Sequence, residues 1–268
     1  MLKDITLGQF FPGHSPLHRL DPRVKIVVTL GYIVALFCAK GPVSYGVTLA
    51  FLAFCVGVSS IAPRALVRGL KPLVFIIAFT GILNVFYVPG EHVLWQWGFL
   101  TLTAEGISMA VYMILRILML VSGTFLLTYT TSPMALTDAL ERLLGPLKLI
   151  RVPIHELTMM MTIALRFIPT LMEETDRIMS AQRARGADFE SGNVLRRARA
   201  LVPLLVPLFV SAFRRAGDLA LAMECRCYHG GEGRTHLRRL QFVAFDIRCL
   251  CGCFLLFAGI AVLGGFGL

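Results

Sequence analysis

Two arginines, each set between small residues at the end of a long helix-compatible stretch, are the groups in this sequence best suited to chemistry. They are Ala184-Arg185-Gly186 and, 41 positions later, Cys225-Arg226-Cys227. A guanidinium is a rigid fork that pairs with a carboxylate through two parallel hydrogen bonds, and small neighbours leave it free to enter a groove. The carboxyl end of a helix also favours a cation. The chemistry on offer is recognition of an acidic surface rather than bond making. An ordinary basic helix end looks the same, so spacing alone leaves both readings open.

Other constellations offer less. The glycines of residues 230–233 are followed by Arg234, with no Gly-Lys-Ser/Thr to complete a phosphate cradle, and HExxH, CxxC and GxSxG are absent from the chain. No catalytic residue and no cofactor-binding residue is expected, and any ATP and magnesium would have to be held by another subunit. The seven cysteines lie mostly in or beside apolar stretches, where a thiol behaves as a small hydrophobe. Cys249, Cys251 and Cys253 are two apart and diverge on a helix, so no metal site is expected from them. Glu173, Glu174 and Asp176 form the one tight acidic group, read as a solvated helical face. Arg116 is the one deeply placed ionisable residue in an apolar stretch; it either faces a partner or is satisfied by another helix's carbonyls or acids. Asn84 reads as a mild helix–helix hydrogen bonder.

The elements that must position these residues are mostly membrane-bound. The chain has 268 residues, is 56% hydrophobic and has a mean hydropathy of +0.74, beyond the apolar share of an ordinary soluble domain. Five stretches read as spans: residues 24–39, 43–61, 73–88, 106–128 and 242–268. Residues 1–22 hold no apolar run of the export-signal type, so the first membrane helix is expected to direct insertion. The net charge of +10 tracks topology rather than nucleic acid. Lys3, Arg19, Arg23 and Lys25 lie before or at the start of the first span, and Arg64, Arg68 and Lys71 follow the second. Residues 89–105 contain no Lys or Arg, and Trp95 and Trp97 lie there in a pattern fitting a short hairpin at the outer interface. The amino terminus is therefore expected inside, with residues 131–241 cytoplasmic.

This gives an all-α, polytopic membrane protein with three parts: a membrane domain over residues 1–130 with four spans, a cytoplasmic module over residues 131–241, and a last span over residues 242–268. Thr103 is the expected cap of the fourth span. Within the module, Ser132-Pro133 opens an amphipathic helix to about Leu144. A first long helix runs from Ile154 to Arg185, where Gly186 supplies a left-handed stop. A second runs from Asn193 to about Arg226. Its apolar middle, residues 201–213, is too short on its own to cross a bilayer, and is expected to lie under the membrane or against the first long helix.

Several ordered blocks resemble the transmembrane T component of energy-coupling factor transporters, a branch of the ATP-binding-cassette systems. They are Leu20-Asp21-Pro22-Arg23, Thr103-Ala104-Glu105-Gly106, Ser132-Pro133 with Leu136-Thr137-Asp138-Ala139-Leu140-Glu141, Ala164-Leu165-Arg166-Phe167-Ile168-Pro169-Thr170-Leu171, Ala181-Gln182-Arg183-Ala184-Arg185-Gly186, and Ala222-Met223-Glu224 with Arg234-Thr235. The resemblance implies two crossing coupling helices whose Ala-Arg-Gly-type ends dock onto two cytoplasmic ATP-binding-cassette subunits. Residues Ala184, Arg185, Gly186, Cys225, Arg226 and Cys227 would make those contacts. It also implies a membrane substrate-binding subunit resting on the apolar flank of the coupling helices, and a location in the bacterial inner membrane among lipid, with no nucleic acid bound.

Cys225 and Cys227 depart from the family's pattern, and losing glycine at the second site is expected to cost backbone freedom. Residues 7–16 look more like the shared T component, with an exchangeable substrate subunit for vitamins or other micronutrients, than like a T subunit dedicated to cobalt, nickel or biotin. A membrane-embedded enzyme acting on lipid-linked substrates is the reading from another class. It would need converging carboxylates or metal ligands at the membrane surface.

Overall fold

Proline punctuates this fold. Five helices begin on one: α1 (Pro16–Arg19), α2 (Pro22–Cys38), α3 (Pro42–Ser59), α4 (Pro63–Leu70) and α7 (Pro133–Leu143). The first helical position needs no backbone N–H, and the fixed φ of proline already suits a helix. In the computed structural model the described residues are 10–87, 93–97, 100–146, 153–189, 193–230 and 242–266. The other helices are α5 (Val74–Tyr87), α6 (Ala104–Thr130), α8 (Ile154–Ala184), α9 (Val194–Glu224) and α10 (Ala244–Gly265). An antiparallel hairpin, β1 (Val93–Trp97) with β2 (Leu100–Thr103), precedes α6, with Trp97 opposite Leu100 and Val93 opposite Thr103. The hairpin expected around the two tryptophans is thus present in the backbone.

Side-chain caps fix where helices start. Thr103 Oγ1 accepts the N–H of Gly106 at 3.0 Å, as expected for α6. Ser132 Oγ accepts from Ala135 N at 3.3 Å at the start of α7. Asp21 accepts from Arg23 N at 2.8 Å at the start of α2. Each satisfies one of the amide donors that a helix leaves orphaned at its first turn.

The described chain divides into two units: the described residues of 10–136 with 242–266, and those of 137–230. In the first, α2 packs on α10 and α6, and α3 packs on the same two helices. Its core joins Tyr32, Ala35 and Leu36 to Tyr45, Leu52, Met119, Phe257 and Ile260. Small residues let these helices approach closely, the usual device where lipid removes the hydrophobic driving force between helices. A side chain at Gly264 would strike the carbonyl of Cys38, and one at Gly123 would come within 2.5 Å of the Tyr32 ring.

Hydrogen bonds set the helix directions. Asp246 Oδ1 in the first turn of α10 accepts the backbone N–H of Asp21 at 3.1 Å, while Gly264 near the other end of α10 lies against Cys38, so α2 and α10 run parallel. Lys25 Nζ near the start of α2 donates to the carbonyl of Thr130 at the end of α6 at 2.9 Å, so α6 runs the opposite way.

Five described helical segments are long and apolar enough to cross a membrane: Pro42–Ser59, Pro63–Phe86, Ala104–Thr130, Arg199–Glu224 and Ala244–Gly265. The set differs from the expected one at two places. The first expected span, residues 24–39, forms α2, whose 17 residues begin with Arg23 and Lys25 and which is not among the five. Arg199–Glu224 joins them, because α9 carries its apolar character on past Phe213 through Ala216, Leu219 and Leu221 around a few charges. The uninterrupted apolar run of residues 201–213 is the middle of that segment, which qualifies by length and composition alone. The third segment also starts earlier than residue 73, since α4 leads through a short 3-10 turn (Lys71–Leu73) directly into α5.

In the second unit, α8 and α9 are both 31 residues long, about 45 Å each, and they pack on one another. Helix continues through Pro169 in α8 and through Pro203 and Pro207 in α9. His155 Nδ1 in the first turn of α8 lies 2.9 Å from Glu141 Oε1 in α7.

Candidate functional site

Both arginine motifs close their helices with the same hydrogen-bond pattern. At the first, Arg185 N donates to Gln182 O at 3.1 Å, Gly186 N to Arg183 O at 3.0 Å and Ala187 N to Gln182 O at 3.0 Å. At the second, Arg226 N donates to Met223 O at 3.0 Å, Cys227 N to Glu224 O at 2.9 Å and Tyr228 N to Met223 O at 3.1 Å. Every donor and acceptor in the second set lies 41 positions after its counterpart in the first. The long-range bond that closes each turn back over five residues is of the kind that ends a helix by a left-handed residue.

That left-handed residue is Gly186, with φ +86°, at the first tip and Cys227, with φ +54°, at the second. The expected loss of glycine's backbone freedom is therefore not expressed as a different turn. Cys227 adopts the glycine conformation and bears its steric cost, because the five-residue closure by Tyr228 leaves the backbone no other course. The hydroxyl of Tyr228 also reaches Met159 Sδ on α8 at 3.3 Å, which holds the second turn against the first helix.

Ala184, Arg185 and Gly186 are all exposed, and so are Cys225, Arg226 and Cys227. Among the described residues neither Arg185 nor Arg226 has a side-chain partner, so both forks are presented outward. The two motifs are not brought together in space. The Tyr228–Met159 contact sets the end of α9 beside the early part of α8, far along that helix from Arg185. They form two separate tips rather than one cleft.

Between the tips, the helices are tied by one acidic residue. Glu174 on α8 accepts from Ser211 Oγ through one carboxylate oxygen and from Arg215 Nη2 through the other, each at 2.5 Å. The acidic group at residues 173–176 is thus divided. Glu173 and Asp176 are exposed as expected, while Glu174 is half-buried and turned to α9. Nothing in the composition of that cluster distinguished Glu174; the signal that finds it is its 41-residue offset from Arg215, the same as between the tips.

A broad apolar flank accompanies this frame. On α9, Val202, Val206, Phe209 and Phe213 are exposed, with Phe213 at 74%, and on α8 Met160 and Met161 are exposed. The exposed apolar face along α9 is more than a solvated helix carries and marks a membrane or protein contact.

Arg116 belongs to the internal reading. Its Nε donates to the Tyr45 hydroxyl at 2.9 Å and its Nη2 to the carbonyl of Ala39, the terminal cap of α2, at 3.2 Å. The guanidinium also stands 5.7 Å from the centres of the Phe37 and Tyr45 rings. It neutralises the negative end of α2 inside the bundle. Asn84 corrects an expectation: its Nδ2 donates to Thr80 O one turn back in its own helix at 2.9 Å, not across to a neighbour. Arg234-Thr235 and the glycines after Gly230 lie outside the described residues, as do Lys3 and residues 7–9.

A family model described as a cobalt transport protein, CbiQ, matches residues 13–237. Curated relatives align over almost the whole chain. The energy-coupling factor transporter transmembrane protein EcfT of Ruminiclostridium cellulolyticum is 53% identical over 247 residues, covering 92% of each chain. That of Acidaminococcus fermentans is 54% identical over 92% of this chain and 91% of its own. That of Thermosediminibacter oceani is 53% identical over 96% of this chain and 97% of its own. Conserved length and identity of this order accompany the matched tips and the apolar helices, and on them the chain belongs to the CbiQ cobalt transport protein family, together with the EcfT proteins it resembles.

Proposed function

We propose that this protein is the transmembrane coupling subunit of an energy-coupling factor transporter. It is a multi-pass membrane protein that passes ATP-driven motion from two ATP-binding-cassette subunits to a membrane substrate-binding subunit. The observation that carries the reading is the pair of exposed arginine tips with matching turns, held apart on two tied helices. A catalytic site would converge; this arrangement offers two separated, equivalent handles.

Arg185 and Arg226 each enter a groove of one ATPase subunit and pair with a carboxylate there. The flanking Ala184 and Gly186, and Cys225 and Cys227, allow close approach. The apolar flank of α8 and α9 seats the substrate-binding subunit, and ATP and magnesium stay with the ATPases, so the chain contributes mechanical coupling rather than catalysis. Basic residues gather at the start of α2 and on α4, which supports an amino terminus and tips on the cytoplasmic side. The shared type of component, serving exchangeable substrate subunits, fits the names of the relatives. A component dedicated to cobalt draws on the family description alone.

The test is recovery of the ATPase subunits with the tagged protein from detergent-solubilised membranes. Replacing Arg185 and Arg226 together by Ala is expected to abolish recovery, because breaking a buried charge pair at an interface costs about 2–5 kcal/mol per site. Full recovery and wild-type uptake in the double variant would refute the docking role.

A further inference from the structure

We infer that the second tip is a thiol-gated dock, in which S-thiolation of Cys225 or Cys227 by a small disulfide withdraws Arg226 from its partner. The inference rests on the docking reading above. It comes from what differs between two tips that otherwise share the same turn. Where the first has Ala184 and Gly186, the second has two cysteines, both exposed as free thiols on either side of the arginine.

Position makes these thiols distinctive. Cys227 is the left-handed residue of the turn, and Cys225 caps the helix one residue before Arg226. Either sulfur is one residue from Arg226, so an adduct the size of a tripeptide is long enough to reach the guanidinium. The remaining cysteines are placed differently. Cys55, Cys249 and Cys253 are half-buried among packed helices, and Cys38 and Cys251 belong to α2 and α10 of the membrane bundle.

The chemistry is a thiol–disulfide exchange with glutathione disulfide or a small disulfide like it. The cysteine thiol gives its proton to water, and the thiolate attacks one sulfur of the reagent. The reagent's S–S bond breaks as a protein–glutathione S–S bond forms, and one glutathione thiolate leaves. Two electrons stay within the exchange, and a thiol reductant reverses it. The attached tripeptide carries two carboxylates and one ammonium beside Arg226. A fork satisfied by its own adduct no longer offers its donors to an acidic groove, and the added bulk blocks close approach. In a reducing cytoplasm both thiols are free and the dock is open; under oxidative load it closes on one arm only, since Ala184 and Gly186 cannot be modified.

The experiment uses the full-length protein in detergent, treated with glutathione disulfide before addition of the two ATPase subunits. Peptide mass spectrometry locates the adduct, and co-purification measures docking, with and without dithiothreitol. The expected result is an adduct on Cys225 or Cys227, a several-fold loss of recovered ATPase at one arm, and restoration by dithiothreitol. The double variant Cys225→Ala with Cys227→Gly is read as the ratio of treated to untreated recovery, so any effect of the replacements themselves cancels. That ratio should stay near one. The proposal is overturned by absence of adduct at these two residues, by an adduct that leaves recovery unchanged, or by an equal loss in the double variant. Failure of the untreated protein to retain any ATPase would instead sink the docking reading and this inference with it.

Discussion

Glu174 and Arg215 each stand eleven residues before a tip arginine, on α8 and α9 respectively, and they are joined to one another. A contact between equivalent positions of two equivalent helices places a local two-fold relation at that point. Each arm then extends about 16 Å from the tie to its tip. The tie is the natural pivot through which a displacement at one tip reaches the other helix.

The pair is partly exposed, with side-chain exposures of 32% for Arg215 and 22% for Glu174, so its static contribution is small, about 1 kcal/mol or less. Glu174→Ala is therefore expected to leave folding and ATPase recovery nearly unchanged while reducing uptake per ATP hydrolysed. The exchange Glu174→Arg with Arg215→Glu should recover coupling that either single change loses. Equal coupling ratios in all four proteins, measured in reconstituted vesicles, would exclude a role for the tie.

The tips themselves make a separable prediction. They share no side-chain partner and lie at opposite ends of the helix pair, so their energies should add. Arg185→Ala and Arg226→Ala are each expected to weaken one docking contact by about 2–5 kcal/mol and leave the other intact. Quantitative mass spectrometry of the purified complex should show one ATPase retained in each single variant and none in the double. Loss of both subunits on either single change would mean that the tips do not act as independent handles.

Cys227 offers a test of the backbone. A residue other than glycine in the left-handed region costs roughly 1 kcal/mol. Cys227→Gly should therefore stabilise the second turn by about that amount, seen as slower amide exchange at Cys227 and Tyr228. Gly186→Ala, which imposes the same strain on the first turn at φ +86°, should accelerate exchange at Gly186 and Ala187. Unchanged exchange in both would show that neither turn depends on glycine's freedom.

Much of this was legible in the sequence because the signals are local. Proline at the first helical position, Ser132 and Thr103 as caps, Gly186 as a stop and the 41-residue echo of the arginine motif all act within a few residues of where they are read. The helices α7, α8 and α9 fall within a residue or two of the expected bounds for that reason. What stayed hidden is set by tertiary partners. Glu174 reads as one of three surface acids until α9 lies beside it, and Asn84 turns to its own helix because Thr80 O is one turn away. By length and composition α9 is also apolar enough to span, because charges interrupt its apolar character without ending the helix.

Asp246 is the clearest residue that sequence reading missed. It sits in the first turn of α10, 3% exposed, and its two oxygens accept Val243 N at 2.9 Å at the cap of α10 and Asp21 N at 3.1 Å at the cap of α2. One carboxylate thus joins the amino-terminal ends of two parallel helices whose positive dipole ends it also offsets. Beside it, Arg23 pairs with Asp21 at 2.8 Å and stacks over Phe242 with 3.9 Å to the ring centre. Removing the side chain by Asp246→Ala strands the buried N–H of Asp21, frees the part-buried N–H of Val243 and removes a helix cap, for a cost of about 2–4 kcal/mol. Asp246→Asn keeps one acceptor and should cost less than half of that. The expected order of thermal midpoints in detergent is wild type, Asn, then Ala, with the tips still able to recover ATPase from whatever fraction remains folded. An Ala variant as stable as wild type would show that the α2–α10 junction is held by packing at Gly264 and Cys38 instead.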